Sequence, residues 1–231
     1  MDKKIYALHG FLGTSTDWEK FNFNHPFIAP NLFYSKKTLN ITEFASDFNQ
    51  NKALEGKENI LLGYSMGGRL VLHCLIQSPN KWKAAIIISA HPGLTTENEK
   101  QVRLKHDKKW LQKFQTENFD AVMSKWNAQP IFNKDNPLNL KEGDYTSHML
   151  EQCLDGWSLG KQNDLNEAIS KLPMPILWIV GENDLKFTEL ALKLTFSNPK
   201  SRVWIAKNCS HRVAWESVEF EKKVNLFLEG L

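Results

Sequence analysis

The sequence predicts an α/β protein built on a doubly wound, mostly parallel sheet. Short, continuously apolar runs recur along the chain and alternate with longer segments of helical spacing. Apolar runs of this kind are typical of strands that are covered on both faces, as in parallel sheets. Their alternation with helices indicates helices on both sides of one sheet. The 231 residues, 42% of them hydrophobic, suffice for one large α/β domain.

Each apolar run has the length of one strand. The predicted strands are residues 5–8, 27–29, 59–62, 84–89, 176–180 and 203–206. Two helices are predicted between the early strands, one over residues 41–54, with Leu54 as a possible last member of its apolar face, and one over residues 66–77. The second of these helices is expected to stop near Pro79, because proline cannot continue a helix.

Residues 94–172 interrupt this alternation. The segment contains no convincing strand, is rich in charged and amide side chains, and carries Trp110, Trp126 and Trp157. We interpret it as several helices inserted between two strands of the sheet, forming a helical cap over the site. The predicted organisation is a core of residues 1–93 and 173–231 with a cap of residues 94–172.

Charge and cysteine content exclude several classes of protein. The net charge of +3 gives no global case for nucleic-acid binding. No apolar stretch approaches the roughly 20 residues that a membrane span needs. The cysteines Cys74, Cys153 and Cys209 are odd in number, far apart and without a CxxC pair, which favours a reduced, cytoplasmic setting without a metal site. We also expect no cofactor, and a monomer or weak homo-oligomer.

A serine motif lies between a predicted strand and a predicted helix. The pentapeptide Gly63-Tyr64-Ser65-Met66-Gly67 has the GxSxG pattern, and its glycines leave space for a tight turn that lifts the serine hydroxyl above the sheet. The strand before it and the helix after it are the context that the pattern requires. The sequence therefore predicts an α/β-hydrolase fold with Ser65 as its active-site serine.

Two backbone N–H groups are candidates for an oxyanion hole. Met66 follows the serine at the start of the helix, where unpaired N–H groups and the helix dipole favour a developing anion. The loop after the first strand holds His9-Gly10-Phe11, and a second donor is expected there in this fold. The Phe11 N–H is our candidate for that donor.

A serine nucleophile or base needs a histidine, and the histidine needs an orienting acid. In this fold the chain order is serine, acid, histidine. Asp184 follows the strand over residues 176–180, and His211 follows the strand over residues 203–206. Glu182 remains the alternative acid. We predict Ser65, Asp184 and His211 as a catalytic triad.

The motifs beyond the triad resemble one family. The chain is similar to the 2-succinyl-6-hydroxy-2,4-cyclohexadiene-1-carboxylate (SHCHC) synthases, the MenH enzymes of menaquinone (vitamin K2) biosynthesis. The resemblance covers nearly the whole chain. Its carriers are His9-Gly10-Phe11-Leu12-Gly13 with Trp18, Gly63-Tyr64-Ser65-Met66-Gly67-Gly68-Arg69, His91-Pro92-Gly93-Leu94, Arg103 with Asp107 and Trp110, Trp126 with Gln129-Pro130-Ile131-Phe132, Leu159-Gly160-Lys161-Gln162 with Asp164-Leu165, and Gly181-Glu182-Asn183-Asp184-Leu185-Lys186-Phe187.

The resemblance implies a lyase rather than a hydrolase. The family eliminates pyruvate from 2-succinyl-5-enolpyruvyl-6-hydroxy-3-cyclohexene-1-carboxylate. The triad then acts as a base on a C–H proton, and no acyl-enzyme is required. The chain departs from the family pattern at Lys100, which stands where the family often has an arginine, and at Ser210, which precedes His211 in place of glycine. The antiparallel hairpin that often opens the fold is expected to be missing or curtailed.

A polycarboxylate substrate calls for cations, preferably planar guanidinium groups. Arg69 lies one helical turn beyond Ser65, and its alternative role is a surface ion pair with a cap acid. The cap also contains a basic segment, Lys100, Arg103, Lys105, His106, Lys108 and Lys109. This basic cap segment is either a solvated helix face or a trap for an anion. The candidate substrate-binding residues are Tyr64, Arg69, Lys100, Arg103, Trp126 and Lys186.

Several alternatives stay open at this point. Tyr64 and Trp126 could serve packing alone, and Lys186 could face solvent. A small-molecule carboxylesterase or thioesterase would use Ser65 as an acyl nucleophile. A non-enzymatic binding protein of the same fold is the remaining alternative, and an intact triad argues against it.

Overall fold

The computed structural model describes residues 3–52, 58–132 and 140–231. Its centre is a six-stranded sheet with the strand order β2-β1-β3-β4-β5-β6. Every pairing in this described sheet is parallel. The strands are β1 (Ile5–Leu8), β2 (Phe27–Ile28), β3 (Ile60–Tyr64), β4 (Ala84–Ile88), β5 (Ile176–Gly181) and β6 (Arg202–Ala206). The predicted parallel α/β sheet is confirmed, and each predicted strand is present to within two residues at either end.

Helices lie between the strands in the predicted alternation. They are α1 (Ile41–Asp47), α2 (Met66–Gln77), α3 (Glu97–Thr116), α4 (Phe119–Asn127), α5 (Ser147–Glu151), α6 (Asn166–Ser170), α7 (Leu185–Leu192), α8 (Val213–Glu216) and α9 (Phe220–Glu229). Helix α2 has the predicted bounds. Helix α1 is shorter than predicted, because a π-helical turn over Phe48–Lys52 follows it; Leu54 lies outside the described residues.

The strands bury both of their faces, which explains their unbroken apolar runs. In β1, Tyr6 and Leu8 pack with α1 and α2 on one side of the sheet. Ile5 and Ala7 pack with α8 and α9 on the other side. All four side chains are at most 1% exposed. Alternation along one strand therefore supplies two separate cores, as a doubly wound sheet requires.

The parallel register brings the carboxyl ends of the central strands to one edge. Tyr64 of β3 pairs with Ile88 of β4, and Ile88 pairs with Ile179 of β5. The residues that follow these strand ends therefore lie side by side, and sites in open α/β sheets form at this edge.

Helices α3 to α6 lie between β4 and β5, and the described residues of this segment form no strand. Helix α3 begins with a capping box in which Thr96 and Glu99 satisfy each other's backbone N–H groups. The Trp126 ring of α4 lies 4.8 Å from the Phe11 ring in the loop after β1, centroid to centroid. It also lies 4.9 Å from the Trp110 ring of α3. Helix α4 therefore packs against the loop that follows β1 at this edge of the sheet.

Among the helices that the structure describes, none has both the length and the apolar character that crossing a bilayer requires.

Candidate active site

Ser65 occupies a strained turn between β3 and α2. Its φ of 51° and ψ of −109° lie outside the regions that L-residues favour, and a strained strand-to-helix turn of this kind is typical of a nucleophile elbow. The turn needs two glycines for space. A Cβ on Gly63 would lie 2.5 Å from the Gly67 carbonyl oxygen, and one on Gly67 would lie 2.2 Å from the Leu8 carbonyl oxygen.

The structure brings the three predicted triad residues together in one hydrogen-bonded line. The His211 Nδ1 lies 2.6 Å from the Asp184 Oδ2, and its Nε2 lies 3.1 Å from the Ser65 Oγ. A carboxylate can only accept, so Nδ1–H donates to Asp184 and the unprotonated Nε2 accepts from the serine hydroxyl. This is the tautomer in which histidine can take a proton from Ser65.

The structure also distinguishes between the two acids that the sequence left open. Asp184 contacts the imidazole, whereas the Glu182 carboxylate accepts the Asn208 backbone N–H at 2.9 Å. Glu182 therefore braces the loop that carries His211. Asp184 and His211 are both buried, at 6% and 2% exposure, which strengthens the hydrogen bond between them because little water competes for it.

The two predicted oxyanion donors are available. Met66 is the first residue of α2, and Phe11 lies in the loop after β1. Within the described parts of the chain, neither backbone N–H donates to another protein atom. Both residues line the same cleft as Ser65, so an anion beside the serine could accept from both.

Ser65 opens into a cleft with Arg69 on its wall, which we call the Arg69 cleft. Its empty volume, open mouth included, is about 780 Å³. The Arg69 side chain is 6% exposed and donates to the Trp157 carbonyl at 2.7 Å and to the Gln162 Oε1 at 3.2 Å. No carboxylate of the described residues lies within 4 Å of its guanidinium. Burial first, and then the charge of Arg103, lowers the pKa of Arg69 to about 10.

Arg103 lines the same cleft from helix α3. Its Nε donates to the Asp107 Oδ1 at 2.7 Å, and Asp107 also accepts from the Ser158 hydroxyl at 2.7 Å. Burial alone would raise the pKa of Asp107, but hydrogen bonds from His106, Ser158 and Arg103, with the Arg103 charge, hold it below its usual range. Asp107 is therefore an anchor for Arg103.

The two lysines among the candidates do not line the Arg69 cleft. The Lys100 ammonium pairs with the Glu97 carboxylate, one turn earlier on α3, at 2.8 Å. Lys186, two residues after Asp184, is exposed, and partial desolvation of its charge, followed by the charge of Arg103, lowers its pKa. The structure thus brings Arg69 and Arg103 to the cleft, whereas Lys100 and Lys186 are not among the residues that line it.

Tyr64 faces a second cleft on the other side of Ser65. This cleft has an empty volume of about 1010 Å³, open mouth included, and also contains Lys20 and Arg212. The Tyr64 ring packs 4.8 Å from Trp215 and 5.6 Å from His211. Trp126 lines both clefts, and its buried Nε1–H has no acceptor among the described residues. Tyr64 and Arg69 therefore line different clefts, and Ser65 borders both.

The sequence analysis did not assign to the site several residues that line the Arg69 cleft, although all of them except Ser89 lie in the motifs that carry the family resemblance. Ser89 and His91 follow β4, Gln129 and Phe132 follow α4, and Phe187 lies on α7. Position after a strand end could have singled out Ser89 and His91. The described residues contain no group of three or more His, Cys, Asp or Glu side chains around a common metal position, and Cys74, Cys153 and Cys209 are free and buried.

Comparisons with known proteins agree with this geometry. The family model described as alpha/beta hydrolase fold matches residues 5–218. A Haemophilus influenzae protein named "Putative 2-succinyl-6-hydroxy-2,4-cyclohexadiene-1-carboxylate synthase" is 33% identical over 205 residues, which cover 81% of this chain and 83% of that protein. The chain belongs to the SHCHC synthase family of α/β-hydrolase-fold proteins. The resemblance that the motifs predicted is confirmed.

Two solved structures add information on the fold. The structure of MenH from S. aureus has a TM-score of 0.86 at 23% identity and covers 99% of this chain and 94% of its own. An esterase from Exiguobacterium antarcticum has a TM-score of 0.72 at 20% identity, with 98% and 92% covered. Synthase and esterase thus share one fold, so the function of this chain must be argued from its site.

Proposed function

We propose that this protein is a carbon–oxygen lyase that eliminates pyruvate from 2-succinyl-5-enolpyruvyl-6-hydroxy-3-cyclohexene-1-carboxylate and forms SHCHC. One observation carries the proposal: a complete Ser65–His211–Asp184 line opens on a cleft whose buried Arg69 has no carboxylate partner among the described residues. A buried cation without a partner is costly, and a polyanionic substrate supplies the partner.

The chemistry follows from the structure of the substrate. The hydrogen on C2 lies next to the succinyl ketone, so its removal leaves charge that the ketone oxygen can hold. Electrons then move from C2 through the C3=C4 double bond to C5, and the C5–O bond breaks. The new double bonds lie between C2 and C3 and between C4 and C5. The released enolpyruvate takes up a proton and becomes pyruvate, so atoms and electrons balance.

The triad supplies the base for this elimination. His211 withdraws the proton of the Ser65 hydroxyl through Nε2, and the Ser65 oxygen abstracts the C2 hydrogen. Asp184 holds the imidazole in the required tautomer and stabilises its positive charge. The N–H groups of Phe11 and Met66 stabilise the negative charge on the ketone oxygen. No covalent intermediate is needed.

The walls of the cleft orient the substrate. Arg69 and Arg103 bind carboxylates, since a guanidinium can contact both oxygens of one carboxylate at once. Trp126, from the proposed cap of residues 94–172, forms an apolar wall and has a free Nε1–H donor within the described structure. Tyr64 and Lys186 contact parts of the substrate that extend past Ser65 or toward Asp184. Lys100, which pairs with Glu97, has no direct contact in this proposal.

The experiment is a pyruvate assay with the purified wild-type protein, the enolpyruvyl precursor and no added cofactor. The same preparation is tested against simple aryl esters. We expect pyruvate release at a rate well above that of ester hydrolysis. Rapid ester hydrolysis without pyruvate release would instead identify a carboxylesterase that uses Ser65 as a nucleophile.

A further inference from the structure

Ser89 holds a position beside Ser65 at the carboxyl edge of the sheet. It directly follows Ile88, the partner of Tyr64 in the parallel register. The Ser65 N–H donates to the Ile88 carbonyl at 2.8 Å, and the Ser89 N–H donates to the Ile179 carbonyl at 2.8 Å. The two serines therefore follow the ends of adjacent strands, and neighbouring strands are about 4.8 Å apart.

The backbone of Ser89 is strained in the same sense as that of Ser65. Its φ is 46°, and that of Ser65 is 51°. Glycine adopts such angles freely, whereas serine does so at a cost in free energy. An observed outlier of this kind at a cleft wall calls for a functional reason.

The hydroxyl of Ser89 is buried at the wall of the Arg69 cleft. The residue is 0% exposed and lines the cleft together with Ser65 and Arg69. Its Oγ has no hydrogen-bond partner among the described residues. A buried hydroxyl without a partner destabilises the protein, so a bound group that accepts its hydrogen bond would relieve this cost.

His91 offers a second neutral donor to the same cleft. The Gly93 N–H donates to its Nδ1 at 3.1 Å. Burial first, and then the charges of Lys186, Arg69 and Arg103, lowers the pKa of His91 to about 3. The ring is therefore neutral near pH 7 and carries its proton on Nε2. No acceptor for this proton occurs in the part of the chain that the structure describes.

The charge around these donors favours an anion. Arg69 uses one N–H of each of two nitrogens on Gln162 and Trp157, which leaves further guanidinium N–H groups for a ligand. Arg103 lines the same cleft with its own counter-ion, Asp107. The buried charge of Arg69 thus lies among neutral donors, and its two acceptors, Gln162 and Trp157, are both uncharged.

We propose that the Ser89 hydroxyl and the His91 Nε2–H, with the guanidinium of Arg69, form a binding site for one carboxylate of the substrate. The inference rests on the proposed function and extends it to two residues outside the triad and the cationic set. The three groups supply donors from the loop after β4 and from α2, and the carboxylate supplies an acceptor for the buried hydroxyl and a negative charge for the guanidinium.

The first test compares Ser89→Ala with Ser89→Gly. Both remove the hydroxyl, but only glycine relieves the strained φ. We expect KM for the precursor to rise at least tenfold in both variants, with kcat within about twofold of wild type, because the hydrogen bond is equally present in ground and transition states. Ser89→Gly should unfold at the same or a higher temperature than wild type. Ser170→Ala, which removes a hydroxyl bonded to the Glu167 carbonyl, is the matched control and should leave both constants unchanged.

The second test concerns His91. His91→Gln keeps an N–H donor at about the position of Nε2 and should retain most of the affinity, whereas His91→Phe should raise KM at least tenfold. Thermal unfolding identifies any variant that fails to fold. If wild type releases pyruvate and both folded Ser89 variants keep the wild-type KM, the carboxylate site is wrong. If wild type releases none, the proposed function fails first.

Discussion

Arg69 is the residue that most separates a polyanion site from an ester site. It is buried, it makes two hydrogen bonds to neutral acceptors, and no described carboxylate neutralises it. A hydrolase of neutral esters has no use for a cation one helical turn from its serine. In the proposed function, this charge binds an anionic ligand.

We expect Arg69→Ala to reduce kcat/KM for pyruvate release by about 30- to 1000-fold, or 2–4 kcal/mol, since a hydrogen-bonded charge pair is lost. Arg69→Lys keeps the charge but loses the bidentate contact, and should lie between alanine and wild type. Steady-state kinetics with thermal unfolding as a control measures this. An unchanged kcat/KM in a folded Arg69→Ala protein would remove Arg69 from the site.

At the residue scale, the order of residues along the chain was enough to predict the triad. The directions in which other side chains point could not be predicted from the sequence. Ser65, Asp184 and His211 each follow a strand, so their meeting could be foreseen. Tyr64 is next to Ser65 in sequence but lines only the other cleft, where it packs on Trp215. Ser89 was missed because a serine in the sequence does not indicate a positive φ, which glycine usually adopts.

The β3–α2 elbow is the element on which the site depends. The Cβ that alanine would add to Gly67 lies 2.2 Å from the Leu8 carbonyl oxygen and 2.5 Å from the His9 carbonyl oxygen. These are backbone atoms of β1 and of the loop that carries Phe11, so the clash would separate the two predicted oxyanion donors.

Gly67→Ala should therefore lower the free energy of unfolding by about 1–3 kcal/mol and reduce pyruvate release. Urea unfolding and the pyruvate assay measure the two effects. Gly230→Ala is the control, because its nearest neighbour would be 3.5 Å away, and it should change stability by no more than about 0.5 kcal/mol. Equal stability of both variants would contradict the tight packing of β1 against α2.

The presence of strands and helices was predicted more accurately than their boundaries or the side chains through which they face the site. The strands were found because burial on both faces makes them uniformly apolar. The basic segment of α3 was ambiguous, since helical spacing alone does not say which side faces the site. In the structure, two residues of this segment have different roles: Arg103 lines the cleft, whereas Lys100 pairs with Glu97.

The whole molecule carries buried neutral histidines, which link its stability to pH. Burial lowers the pKa of His9 and of His73 to about 4. In the unfolded chain both titrate near 6.5, so between about pH 6.5 and 4 the unfolded state binds more protons. Stability therefore rises with pH through this window and is lost as the solution is acidified.

His73→Gln should remove one of these contributions. We expect the free energy of unfolding of wild type to fall more steeply between pH 6.5 and 4 than that of the variant, by up to about 1.4 kcal/mol per pH unit. Urea unfolding at several pH values measures both slopes. Identical slopes would show that His73 is protonated equally in the folded and unfolded states.

The central claim is that Ser65 is the base of an elimination, and the rate of pyruvate release by wild type and Ser65→Ala tests it most directly. The account predicts rapid release by wild type and a loss of at least about 100-fold in the folded Ser65→Ala variant, in line with the contribution of a positioned base. Release at the wild-type rate by Ser65→Ala would contradict it.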